Sequence, residues 1–112
     1  MTFTLPYLHT TDFVQYQERV RHAVSEELRV SEPEAVEDLA GRRLKAEVVF
    51  HPPSGRHDLP LHALVSLVTD AVSDAAGFSG DHVDHLVVSR GARSKNGGSV
   101  TYTIEPDTRT PF

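Results

Sequence analysis

A small α+β domain is the fold class this sequence predicts, with helices packed on a small mixed sheet in the order β-α-α-β-α-β-β. Three observations carry that expectation. Apolar residues recur at helical spacing over residues 12–30 and again over 61–75. "LKAEVVFH" and "SVTYTIE" alternate apolar and polar residues with the two-residue period of half-buried strands. At 112 residues the chain has room for one core but no second domain.

Each element has its own signals. "FTLPY", residues 3–7, puts Phe3, Leu5 and Tyr7 on one face, and Pro6 marks it as an edge strand or one that ends early. Asp12 with Gln15 three residues on has capping-box spacing. Phe13, Tyr16, Val20, Val24 and Leu28 form the apolar stripe of the helix that follows, to about residue 30. "SEPEAVEDLAG" predicts a second, shorter helix, with Ser31 and Glu34 at capping spacing, Pro33 in the first turn and Gly41 as the stop.

In the next strand Leu44, Ala46, Val48 and Phe50 face one way and Lys45, Glu47 and His51 the other. The third helix carries a stripe running from Leu61 through Leu64, Val65, Val68 and Val72 to Ala75, and Gly77 ends it. "HLVVS" and "SVTYTIE" flank an Asn-Gly turn signal and are expected to pair as a hairpin. Residues 1–106 read as a single domain without repeat or linker, and 107–112 as a loosely ordered tail.

Composition excludes several classes. With 38% hydrophobic and 24% charged residues the chain reads as globular and soluble, not disordered. The absence of cysteine removes disulfide scaffolds, thiolate zinc sites and cysteine nucleophiles. No apolar run reaches membrane-spanning length and "MTFTLPYLHT" has no signal-peptide pattern, so a cytoplasmic protein without a membrane partner is expected. A net charge of −5 disfavours wholesale binding to nucleic acid. The charge is uneven, however: half of the sixteen acids lie between Asp12 and Asp38. "HLVVSRGARSKNGG" carries Arg90, Arg93 and Lys95 with no acid, either a phosphate-touching loop or a solvated tip.

The residues able to carry chemistry fall in two loops around the third helix. "HPPSGRHDLPLHAL" holds His51, His57, Asp58 and His62, and "SGDHVDH" holds Asp81, His82, Asp84 and His85. Clustered carboxylates suit Mg²⁺ or Mn²⁺, and such ions activate water for phosphodiester hydrolysis. Imidazoles shift the preference toward zinc, nickel or cobalt. Asp58 is equally well placed to cap the helix, and the second loop has the composition of a turn.

The order of these features resembles the RusA-type Holliday-junction resolvases, small dimeric, metal-dependent endonucleases that cut four-way DNA junctions. "FTLPY" looks like the family's opening strand. "EVVFHPPSGRHDLPLHAL" is similar to its strand, basic proline loop and first acidic motif. "TDAVSDAAGFSGDHVDH" looks like its helix end and second acidic motif, and "GGSVTYTIEP" like its closing strand. The resemblance implies catalytic roles for Asp58 and Asp81 and a Mg²⁺ or Mn²⁺ site drawn from Asp58, Asp81, His82 and Asp84; Arg56 of the proline loop, with Arg90, Arg93 and Lys95 of the locally basic loop, are the candidate DNA contacts.

The chain departs from that pattern at defined positions. Pro60 stands where the first motif, Asp-x-Asp-Asn-Leu, has its second aspartate. Leu61 takes the place of its asparagine, Leu64 of the lysine that follows, and His82 of the second member of the Asp-Asp pair. A single charge-stabilising group is worth roughly 3–4 kcal/mol in a transition state, so several losses together leave little catalysis unless His57, His62 and His82 rebuild a softer metal site.

The resulting expectation is a RusA-like, DNA-associated domain, homodimeric, with weakened or lost endonuclease activity. One alternative is an active Mg²⁺- or Mn²⁺-dependent endonuclease cutting branched DNA through Asp58 and Asp81. A second is a non-catalytic homodimeric module that binds a protein partner and needs no cofactor.

Overall fold

The computed structural model describes residues 1–9, 12–30, 39, 41–53, 60–94 and 97–107. Within them the chain forms β1 (Thr2–Pro6), α1 (Phe13–Val30), β2 (Leu44–His51) and α2 (Leu61–Ala76). A short 3₁₀ turn, Gly80–His82, then leads into β3 (Val83–Arg90), and β4 (Ser99–Pro106) closes the domain. The four strands make one mixed sheet in the order β1-β4-β2-β3. The α+β class and its mixed sheet are therefore as the sequence predicts. The helix expected over "SEPEAVEDLAG" and the tail beyond Asp107 fall largely or wholly outside the described residues.

One face of the sheet carries the core. Phe3, Ala46, Val48, Val100, Tyr102 and Ile104 are fully buried there, beneath Val20, Val24, Val68 and Val72 of the two helices. The strict alternation of β2 and β4 is the cause, because a two-residue period sends every second side chain to the same face. The opposite face is more open and mostly polar, with Thr101 and Thr103 of β4 and Lys45 and Glu47 of β2.

Two buried tyrosines fasten the helices to that sheet. The Tyr16 hydroxyl donates to the Pro6 carbonyl at 2.8 Å, and the Tyr102 hydroxyl lies 3.0 Å from Thr69 Oγ1 on α2. A phenol that brings its own polar tip into a core needs such a partner. The helices are also joined to each other: Gln17 Nε2 donates to the Leu67 carbonyl at 3.1 Å, and Arg21 Nε to Asp74 Oδ2 at 2.9 Å.

The helix ends follow their local signals only in part. Asp12 caps α1 as its spacing suggests, its Oδ1 accepting from the Gln15 amide at 3.0 Å. Phe13, expected on the buried stripe, is instead 50% exposed, in the first turn of α1. The N-cap of α2 is Pro60, which makes no side-chain cap hydrogen bond. Asp58, the cap that the sequence suggests, lies outside the described residues. At the other end Gly77 adopts φ 82°, the left-handed conformation that closes a helix most easily without a Cβ.

The expected hairpin is corrected. β3 and β4 do not pair: β3 runs parallel to β2, and β4 is antiparallel to both β2 and β1. Burial explains the arrangement. β4 buries Val100, Tyr102 and Ile104 completely and suits a central position, whereas β3 leaves Leu86 and Val87 exposed and suits an edge. The 91–98 connection consequently crosses the end of β2. There Ser94 N donates to the Pro52 carbonyl at 2.9 Å, and Pro53 bridges Ser94.

Burial raises the pKa of both tyrosine hydroxyls, with a smaller contribution at Tyr16 from Tyr7; at Tyr102 the hydrogen bond to Thr69 opposes part of the rise. The folded chain thus holds these protons more tightly than the unfolded one. Their contribution to stability is complete below the ordinary phenol value of about 10 and is lost as pH rises beyond it. Urea unfolding followed between pH 8 and 11 should show stability falling above about pH 10. The fall should be shallower in Tyr16→Phe and in Tyr102→Phe; equal slopes in all three proteins would contradict the assignment.

Candidate functional site

The two loops singled out in the sequence leave the sheet at opposite ends. β2 delivers His51, Pro52 and Pro53 at its C-terminal end, and β3 starts beside Leu44 at the other. The sixteen residues of α2 span the gap, a length of about 24 Å. The turn after α2 shortens the separation by folding back along the helix, where Gly80 approaches the Thr69 methyl.

At the C-terminal end of β2 the proline loop and the basic loop are tied together. Besides the Ser94–Pro52 and Pro53–Ser94 links, Arg93 Nη1 donates to the Pro53 carbonyl at 3.2 Å. His51 Nδ1 lies 3.0 Å from the Ala92 carbonyl. Two glycines permit this closeness. A Cβ on Gly91 would lie 2.5 Å from His51 Cε1 and 2.9 Å from Val49 Cγ1. One on Gly98, whose φ is 88°, would lie 2.9 Å from the His51 carbonyl oxygen and from Pro53 Cδ. Arg90 and Arg93 are both exposed at this end. Arg56 and Lys95 lie outside the described residues; in sequence they follow Pro53 by three residues and Ser94 by one.

The other end holds the second acidic motif. Ser79 Oγ accepts from the Asp81 amide at 3.3 Å, and the Ser79 carbonyl from the His82 amide at 3.0 Å, which shapes the 3₁₀ turn. Asp81 is exposed. Asp84 accepts from Arg43 Nη1 at 3.3 Å, an exposed pair worth at most about 1 kcal/mol. His82 and His85 each enclose a ring Nδ1 that has no hydrogen-bond partner. Such a nitrogen costs about 1–3 kcal/mol when left unsatisfied, and no spacing in the sequence announces it.

Of the four residues expected to hold Mg²⁺ or Mn²⁺, the structure describes Asp81, His82 and Asp84. Hard cations take several oxygen ligands, whereas the unsatisfied atoms here are imidazole nitrogens and the Asp84 carboxylate already faces a guanidinium. Among the described residues, no three His, Asp or Glu side chains converge as a metal-holding group. Asp81, His82 and Asp84 are neighbours in sequence, and Asp58, the fourth residue expected there, lies outside the described residues.

The positions where this chain departs from the resolvase pattern are well defined. Pro60 holds the helix N-cap and offers neither carboxylate nor donor. Leu64, which the resemblance sets against a lysine, is buried in the core, and Leu61 packs beside that core. A cation at position 64 would have to enter an apolar interior.

An open groove between β1 and α1, lined by Pro6, Gln15, Glu18, Arg19, His22 and Ala23, touches neither loop. No described helix is long and apolar enough to cross a membrane. Compared with known proteins, the chain matches no protein-family model and no curated protein.

Gly91→Ala should destabilise the fold by about 1–3 kcal/mol, the usual cost of forcing an added methyl into a packed site. His51→Ala should restore much of that loss by vacating the space, although Val49 still crowds the position. Thermal melts of the two single variants and the double would test the contact; additive losses would refute it.

Proposed function

We propose that the chain is a RusA-like, DNA-associated domain that acts as a homodimer and whose endonuclease activity is weakened or lost. The observation that carries the DNA half is the stitching of the basic loop onto the proline loop, which collects Arg90 and Arg93 at the end of the sheet from which the Arg56 segment departs. Clustered cations on an otherwise acidic protein supply a local phosphate-binding patch, and the net charge of −5 limits its strength.

The catalytic half is supported by the side chains at the motif positions. Pro60 at the helix N-cap and Leu64 in the core remove a carboxylate and a cation from the positions where the family's chemistry needs them. Asp81 remains exposed and chemically available, but its described neighbours do not complete a cation site.

Electrophoretic titration of four-way DNA junctions should show binding at low salt that weakens steeply as salt rises. Arg56→Ala with Arg93→Ala should reduce the log–log salt slope by about 2, because each arginine neutralises one phosphate. An absence of binding even at low salt would remove the DNA reading. With Mg²⁺ or Mn²⁺ added, cleavage of the same junctions should be slight or undetectable. Robust nicking abolished by Asp58→Asn and by Asp81→Asn would instead establish a working nuclease.

A further inference from the structure

β3 is an edge strand with little of the protection such strands usually carry. Among the described residues it has a strand neighbour on one side only, β2. It is eight residues long, without proline, and its interior "HLVVS" holds no acidic or basic residue besides the histidine. Leu86 is 45% exposed on the helix side of the sheet and Val87 is 41% exposed on the open side. The opposite edge, β1, is five residues long and ends in Pro6, so it offers a poorer template.

The strand is also self-complementary. In a two-fold antiparallel pair, opposed residues must share a face of the sheet, so the axis passes through a residue pair and not between residues. Centring the axis on Val87 sets Val87 against Val87, Leu86 against Val88 and His85 against Ser89. The ends of the strand then place Asp84 opposite Arg90, twice by symmetry. A shift of the axis to Leu86 opposes Val88 to Asp84, and a shift to Val88 opposes Leu86 to Arg90. Only the Val87 register joins both the apolar and the charged pairs.

We propose that two copies of the chain pair through β3 in this register, forming a continuous eight-stranded sheet with all helices on one face. The proposal names the surface of the homodimer put forward above and rests on that part of the reading, not on DNA binding. It also has a consequence for the site. Antiparallel pairing brings Asp84 of one copy, which already faces Arg43, opposite Arg90 of the other, so that the carboxylate gains a second cation across the interface.

The test exploits the absence of native cysteine. Sedimentation equilibrium of the unaltered chain should show a reversible dimer, weakened about tenfold by Val87→Lys, which sets two like charges on the axis. Opposed residues of an antiparallel pair lie about 4.5–5.5 Å apart at Cα, within disulfide reach. Val87→Cys should therefore cross-link two copies under mild oxidation. Ser89→Cys should not, because its two copies would sit about 13 Å apart along the strands. A chain that stays monomeric at high concentration would overturn both the dimer and its surface. A dimer in which Cys at 87 cross-links no better than Cys at 89 would overturn the surface and leave the dimer standing.

Discussion

The insertion of β4 between β1 and β2 is the constraint on which the rest of the structure depends. A strand in that place must satisfy hydrogen-bonding neighbours on both edges and bury one face completely, and Val100, Tyr102 and Ile104 do so. From it the first strand is held, down to the Met1 ammonium donating to the Ile104 carbonyl at 2.8 Å. From it α2 is also anchored, through Tyr102 and Thr69. The pairing is remote in sequence, so the sheet is complete only when the last strand arrives. A fold of this kind meets its loop-closure entropy before most of its native pairings form.

The same insertion fixes where the two loops lie. Because β4 fills the position beside β2, β3 is displaced to the edge and the connection between β3 and β4 must cross the end of β2. That crossing lays the basic loop on the prolines at 52 and 53 and leaves the acidic turn at the start of β3. Arg90 and Arg93 thus lie at one end of the sheet, and Asp81 and Asp84 at the other beside Arg43 and Lys45. β3, at the edge with Leu86 and Val87 uncovered, is the surface of the proposed dimer.

Much of the local structure is legible in the sequence because it depends on near neighbours along the chain. The Asp12 cap, the faces of β2 and the buried stripe of α2 all follow from spacing, and each is found. Phe13 departs from its stripe: helical periodicity says which side of a helix is apolar but not whether a given position on it is covered. The hairpin fails for a related reason: glycines that turn a chain do not select the strand it returns to. At the site, Asp81, His82 and Asp84 resemble a donor cluster because they lie close together in sequence. Their side chains part in the fold, one toward Arg43 and one into an enclosed position, as backbone direction changes from turn to strand.

By itself, then, the sequence determined the α+β class, the faces of the central strands and the absence of thiol chemistry, because periodicity and composition are properties of the chain alone. Tertiary structure alone decided that β3 lies parallel at an edge and that the basic and proline loops are joined. The division has a physical reason. Which side of a strand is buried depends on residues two apart, whereas which strand lies beside it depends on competition among all strands for the same hydrogen bonds and the same apolar face.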